Sequence, residues 1–437
     1  MTDITTEKAR IGAPSAQPFI NGFTEEGENL SPANTGTNTS TTSEQPSAGP
    51  LAGASAKSHS HGGGVGIPDS SRAGRLTSYK LADFKPLNGL EEDWRFTPLK
   101  RLRGLHTDVL NGAAPVVSVT APAGVVVETV GRDDKRIGQA GIPEDLVSAN
   151  AWENFAEATV ITVPADLQAE SEVSVLVTGA GEAPSAQHIV IVAERFSKAV
   201  VVLDHQGSAV VSENVEIIVE DGAELTVVSL QEWADDAVHA SSQQAKIGRD
   251  AKFKHIVVSL GGDLVRVTPS TRFTAPGADV EMFGLYFADA GQHLEQRLFV
   301  DHAVANCKSR VLYKGALQGR NAHSVWVGDV LIRKEAEGTD TYEANRNLVL
   351  TDGARADSVP NLEIETGLIE GAGHASATGR FDDEHLFYLM ARGIPEKVAR
   401  RLVVRGFLNE IIQQIKVPAI EDRLTAAVER ELAATDN

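Results

Sequence analysis

From about Val116 to Ile364 the chain is written in short β-branched runs separated by turn residues: VVSVTAP, GVVVETVG, ATVITVPAD, SEVSVLVTG, HIVIVAE, KAVVVLDHQG, VEIIVEDG, LTVVSL, KFKHIVVSL and DLVRVTP. Brief strands at such regular spacing predict an all-β body. Helix-length apolar periods are scarce among them, with Ala149 to Glu157 as a short exception. The turns DGAEL, RDAKF, PGADV and VANCK echo one another, and their alanines Ala223, Ala251, Ala278 and Ala305 lie 28, 27 and 27 residues apart. A period in that range predicts a stacked solenoid rather than a closed sandwich. Each coil then buries its apolar face on the next, which leaves two ends and open strand edges for the flanking helical regions to cap.

Beyond the β body the period turns helical. The small-residue run GAGHASATG, read as a loop carrying His374, leads into a segment where Phe381, His385, Leu386 and Leu389 stand at helical spacings up to Met390. Gly393 can end that helix, and Pro395, after Ile394, suits the first turn of the next, EKVARRLVVRGFLNEII, so the two form a hairpin. The second helix places Val398, Leu402 and Phe407 or Leu408 on one side, with Arg400, Arg401 and Arg405 around the rest. Such a cluster of arginines suits either a solvated helical face or an acidic partner. In VPAIEDRLTAAVERELAA, Ile420, Leu424, Val428 and Leu432 recur every fourth residue and predict a further amphipathic helix.

The opposite end is built otherwise. Residues 1–70 are rich in small and polar types and predict a disordered tail, in which His59 and His61 belong to a linker-like SHSHGGG. Next, Tyr79, Phe84, Leu87, Leu90, Trp94, Phe96 and Leu99 crowd one span and predict a small packed unit with Trp94 as its anchor. The expected organisation is a tail over 1–70, an N-terminal helical region over 71–114, a β-solenoid core over 115–375 and a C-terminal helical domain over 376–437.

Composition narrows the function. A formal net charge of −20 gives no concentrated basic surface, which argues against nucleic acid. The single cysteine, Cys307, rules out an internal disulfide framework. No eighteen-residue apolar run occurs and MTDITTEKAR lacks an apolar signal core, so a cytoplasmic protein without a membrane segment is expected. No GxxxxGK[ST] pattern is present, so any ATP hydrolysis falls to another chain.

Among the chemical side chains, Cys307 reads as a small buried hydrophobe, and His302 and His323 as satisfied structural histidines. Asp301 adjoins His302, but neighbours on a strand point to opposite faces. Glu363 and Glu365 share a strand face, where a solvated surface explains them without a cation or acid-base role. His374 has small neighbours, Ala372 and Gly373, that leave room for a ligand and a partner backbone.

The ordered series PNLEIETG, GHASATG and FDDEHLFYLMARGIPEKVARRLVVRGFLNEII resembles the C-terminal part of the SufB/SufD family, scaffold subunits of the SUF iron-sulfur cluster assembly machinery. QHLEQRLFVDHAVANCKSRVLYKGALQGRNAHSVWVGDV and EEDWRFTPL resemble further stretches of it. The likeness runs over about residues 72 to 430 and is close from Gln292 onward. It implies a right-handed parallel β-helix between helical ends, acting as a non-catalytic scaffold with SufB and the ATPase SufC. It also implies that His374 is a ligand of a transient iron-sulfur cluster formed against SufB. SufC would engage the C-terminal helices, with Arg392, Gly393, Ile394, Pro395, Arg400, Arg401, Arg405 and Phe407 as the interface. Sulfur donors and cluster acceptors would be met through the complex, and flavin would bind, if at all, only there.

One departure stands out. Where many SufD chains carry a cysteine two positions before this histidine, Ala372 stands here, so no thiolate is offered at that place. A lone, core-like cysteine cannot make a self-sufficient cluster carrier, which favours the SufD side of the family over SufB. Two other readings compete: an adaptor with no ligand at His374, and a carbohydrate-active β-helix enzyme, which would need a dense charged cluster on one strand face.

Overall fold

The computed structural model describes residues 72–380 and 383–434; the expected tail with His59 and His61, and Phe381, lie outside them. Two short strands, β1 (Val116–Thr120) and β2 (Val126–Gly131), precede helix α1 (Leu146–Asn154). The coil then runs through β3 (Glu157–Val163), β4 (Val173–Thr178), β5 (Gly181–Ala193), β6 (Lys198–Gly207), β7 (Ala209–Val219), β8 (Glu224–Trp233), β9 (Val238–Ile247) and β10 (Lys252–Ser259). It continues through β11 (Leu264–Phe273), β12 (Asp279–Ala288), β13 (His293–His302), β14 (Lys308–Leu317), β15 (His323–Ile332), β16 (Asp340–Val349), β17 (Arg355–Ile364) and β18 (Gly371–Arg380). Helices α2 (Asp383–Met390), α3 (Glu396–Ile412) and α4 (Pro418–Ala434) close the chain.

Even strands from β4 to β18 form one sheet and odd strands from β3 to β17 the other, with every second strand paired in parallel. This is a parallel β-solenoid of about eight turns, two strands per turn. The first turn is covered by antiparallel β1 and β2, which pair with β4 and β3. At the other end, among the described residues, neither β17 nor β18 has a strand on its far side.

The repeat follows from the corners. Just before the even strands, Phe196, Gly222, Asp250, Gly277, Asn306 and Gly338 hold left-handed φ angles between 51° and 88°, a conformation that glycine, asparagine and aspartate adopt most readily. The residue after each corner points into the core, and its carbonyl accepts from the next turn: Lys252 N–H donates to Ala223, Asp279 to Ala251, Lys308 to Ala278 and Asp340 to Cys307. The column is therefore Ala223, Ala251, Ala278 and Cys307. Ala305, expected to continue it, stands two residues early because the chain carries two more residues between the paired positions Tyr286 and His293 than between their partners Ser259 and Leu264, and it is only half-buried.

Cys307 is thus a rung of an alanine ladder, fully buried, with burial pushing its thiol up. Replacing it by the residue its neighbours use, Cys307→Ala, is expected to cost only about 1 kcal/mol. Thermal denaturation checks this, and the wild-type thiol should react with a thiol reagent only on unfolding.

The helical parts cover the flanks of the coil rather than its ends. Val404, Leu408, Ile411 and Ile412 of α3, with Leu424 and Val428 of α4, pack on the outer face of the even sheet over Val228, Ile256, Leu285 and Leu348. The first stretch of the domain behaves likewise on the other side. Trp94, Leu102, Leu105 and Leu110 join α1 on the outer face of the odd sheet over Val210, Val238 and Leu264. That stretch is not a self-contained unit: Leu90 is 87% exposed, and Trp94 shares one apolar cluster with Leu87, Leu99, α1 and the coil. Helix α1 begins earlier than the apolar pattern suggests because Asp145 caps it, accepting from the Ser148 N–H. Among the described residues no helix is long and apolar enough to cross a membrane.

Candidate functional site

The run GAGHASATG forms strand β18, not a loop. Small residues have little strand preference of their own, but β16 supplies a complete edge, and the pairing from Asp340↔Gly371 to Val349↔Arg380 holds them extended. The solenoid therefore ends at Arg380, beyond the expected boundary at 375.

His374 sits in this last turn directly beside Glu343. Its side chain is 44% exposed, and Nδ1 lies 3.9 Å from Glu343 Oε1, whose side chain is fully buried. Burial, with the charge of Asp329 adding to it, pushes the Glu343 carboxyl up to about 8. At neutral pH that carboxyl is mostly protonated, and neither oxygen has a hydrogen-bond partner. At 3.9 Å the two are not hydrogen-bonded, but a shift of the half-exposed imidazole by about 1 Å would let the protonated acid donate to Nδ1. Gly328 makes room: a Cβ there would strike Glu343 Oε2 and the Trp326 ring.

A cleft of about 600 Å³ opens beside His374, walled by Phe299, Asp329, Pro360, Asn361 and Glu363. Asp329 accepts from Arg72 Nη1 at 3.1 Å and from Asn361 Nδ2 at 2.7 Å. A half-exposed imidazole, a buried neutral carboxyl and a polar cleft thus meet where both sheets end. Glu343 and Asp329 escape a reading of the sequence. The only signal for Glu343 was the alternation Thr341, Glu343, Asn345, Asn347, which places polar groups at inward positions of TYEANRN.

The other candidates are accounted for structurally. His302 is buried with Nε2 2.9 Å from Ser309 Oγ, and desolvation takes it down to about 3, so it is neutral. His323 has Nδ1 3.0 Å from His293 Nδ1 and Nε2 2.7 Å from Asp357 Oδ2. Asp301 turns to Arg333, at 2.6 and 3.0 Å, and not to His302. Glu365 accepts from the Lys334 N–H.

In the C-terminal hairpin Gly393 has φ +83° and its N–H donates to the Met390 carbonyl, which ends α2 as expected, while Pro395 stands just ahead of α3. The expected apolar side of α3 divides. Leu408 is fully buried on the solenoid, whereas Val398 and Leu402 are 45% and 44% exposed, because they lie about a third and nearly half a turn round the helix from the Val404–Ile411 face. Phe407 also turns to the coil, with Lys314 Nζ 4.6 Å from its ring centre and 3.0 Å from its carbonyl oxygen. The outward surface is made instead by Phe387, Tyr388, Met390, Val398 and Leu402, all exposed. Arg392 stacks over Tyr388, Arg400 pairs with Glu396 and Arg405 with Glu429. Part of the arginine charge is therefore already answered within the tail.

A solenoid that offers a titratable cleft at an open end and an apolar helical hairpin on its flank has the build of an assembly scaffold. The family model described as SUF system FeS cluster assembly, SufBD core domain, matches residues 175–407, and the chain belongs to this family of iron-sulfur cluster assembly proteins. An iron-sulfur cluster assembly SufBD family protein of Mycobacterium bovis is 56% identical over 370 residues, covering 83% of this chain and 93% of the relative. Another from Mycobacterium leprae is 56% identical over 374 residues, covering 83% and 95%. The iron-sulfur cluster assembly protein SufD of Plasmodium berghei is 26% identical over 213 residues, covering 49% of this chain and 16% of that protein.

Proposed function

We propose that this chain is the SufD-type subunit of an assembly complex with SufB and the ATPase SufC, in which a nascent iron-sulfur cluster forms against SufB at the open end of the coil. The observation that carries this reading is His374 on the unpaired last turn, half-exposed, with the buried carboxyl of Glu343 beside it. An imidazole there can ligate iron while a partner strand or loop covers β17 and β18. The single buried Cys307 favours the SufD side, since thiolates would have to come from SufB. The Plasmodium relative named SufD supports the same side.

The exposed apolar surface of α2 and α3 suits docking of SufC, with Gly393, Ile394 and Pro395 at its turn and Arg392, Arg400 and Arg401 at its rim. Phe407 supports that hairpin from behind rather than contacting the partner. The chain itself is non-catalytic in this reading, works in the cytoplasm, and meets sulfur donors, cluster acceptors and any flavin only through the complex. Iron and sulfide are its cargo.

Co-expression with SufB and SufC tests the proposal, comparing wild type with His374→Ala by copurification and by anaerobic iron and sulfide content. The complex is expected in both cases, with cluster content in the variant lower by at least about tenfold. Unchanged cluster content would make the chain an adaptor whose partner supplies every ligand. Failure of the wild type to copurify would sink the assignment to this complex.

A further inference from the structure

Six rungs along the even sheet from β18, three ligating side chains meet in the core: His205 near the end of β6, Glu213 near the start of β7 and His239 at the start of β9. Their donor atoms all lie within 4.8 Å of one another. His205 Nε2 is 3.1 Å from Glu213 Oε1 and His239 Nε2 is 3.4 Å from Glu213 Oε2, and each of these side chains is at most 1% exposed.

The surrounding hydrogen bonds decide which atoms face inward as lone pairs. His205 Nδ1 lies 3.0 Å from the Leu230 carbonyl oxygen, which can only accept, so Nδ1 carries a hydrogen and Nε2 faces Glu213; burial works to lower the ring's pKa but the Glu213 charge raises it, so that nitrogen calls for a proton or a cation. Gln231 donates through Nε2 to Ser229 Oγ, which turns its Oε1 to His239 Nδ1 at 2.7 Å. His239 Nε2 is then bare, and it has no hydrogen-bond partner. With no proton on His205 Nε2, two imidazole nitrogens and a carboxylate converge with their electron-rich sides. Of their neighbours, Ser241 Oγ supplies one hydrogen, donated to Glu213 Oε2 at 2.8 Å.

Such a group needs positive charge between its members, because uncompensated burial of this kind is costly. The two spacings to Glu213, 3.1 and 3.4 Å, are close to those of a metal polyhedron, in which ligands about 2.0–2.1 Å from a tetrahedral ion stand about 3.4 Å apart. The outer bonds match too, since metal-binding histidines hold the far ring nitrogen on a carbonyl or amide oxygen.

We propose that His205, Glu213 and His239 bind a divalent first-row cation of the Zn²⁺ or Fe²⁺ class inside the solenoid. The donor set of two imidazoles and one carboxylate suits those ions. Being enclosed, the ion pins the β6–β7 turn of the coil to the β8–β9 turn and is taken up as the chain folds. This inference does not depend on His374 or on the assembly complex.

The test uses the untagged full chain. It is expressed with added Zn²⁺ and dialysed against a chelator, and its metal content is measured; it is also refolded with Co²⁺, whose visible d–d bands report a low-symmetry nitrogen and oxygen site. The expected result is one retained equivalent of metal and Co²⁺ bands in wild type and in the His59→Ala/His61→Ala variant, with both lost in Glu213→Gln and His239→Gln. Circular dichroism checks that the variants fold. If they do not, the wild type decides alone: metal retained through dialysis and released on denaturation supports the site. No metal above background and no Co²⁺ bands in wild type would overturn it and leave a shared proton between Glu213 and an imidazole. Bands that vanish only with His59 and His61 would overturn it equally.

Discussion

Glu295→Ala should destabilise the domain by about 3–5 kcal/mol, the range expected when one member of a buried charge network is removed. Glu295 is fully buried on β13 and faces Arg266 Nε at 3.3 Å, Arg297 Nη1 at 3.6 Å and His293 Nε2 at 3.0 Å. Thr97 Oγ1 donates to it at 2.7 Å. Arg266 is stacked on Trp94 with its guanidinium carbon 3.9 Å from the ring centre, and Arg297 reaches Asp93 at 2.9 Å. The carboxylate therefore joins the segment around Trp94 to β11 and β13. Without it, two guanidinium groups, each at most 4% exposed, would keep, among the described residues, the carboxylates of Asp93 and Asp145 for compensation.

The pH dependence has a fixed sign. Burial alone would raise the Glu295 carboxyl, but the His293 contact and the charges of Arg266 and Arg297 hold it far below the usual range. Its contribution is then present above the unfolded value of about 4.3 and is lost as pH falls toward the folded one. Urea unfolding at neutral pH and again below about pH 4 should show the gap between wild type and variant narrowing in acid. A gap under about 1 kcal/mol at neutral pH would refute the role given to the network.

Leu408→Ala is expected to cost about 2–5 kcal/mol, but to be felt locally first. Leu408 is fully buried where α3 and α4 lie on the even sheet, and Leu424 is its counterpart from α4. If the two helices come away together, the Leu408→Ala/Leu424→Ala pair should fall short of the sum of the single effects. Amide hydrogen exchange should show protection lost over residues 396–434 while β7 to β15 stay protected. Equal loss throughout the coil would show that helices and solenoid unfold as one unit.

How far the chain could be read depended on the length of the pattern. The β runs and the every-fourth-residue pattern of α4 survive because each makes its own apolar period, and the 28- and 27-residue spacings of Ala223, Ala251 and Ala278 mark real turns. The period failed at Ala305, where two extra residues between β12 and β13 moved the ladder onto a cysteine, and at GAGHASATG, where a neighbouring strand overrode local preference. Which face of α3 is buried was set by the sheet beneath it, and no helical wheel carries that. The candidate site was half legible. His374 stood out, but Glu343 acquires its unusual carboxyl only from burial beside Asp329, fourteen residues earlier and half a turn away on the other sheet. The interior triad needed residues from three strands.

The two terminal helices lie across the even sheet as a splint, touching residues of β6, β8, β10, β12, β14 and β16. A solenoid pulled along its axis yields by peeling one turn at a time, each turn resisting only with its own pairing. A brace fastened to six turns loads them side by side, as in shear, where many bonds must fail together. A pull applied at the α2–α3 hairpin would then travel along the beam with little lost in bending. It would be spent just beyond the brace, at the last turn, where β18 carries His374.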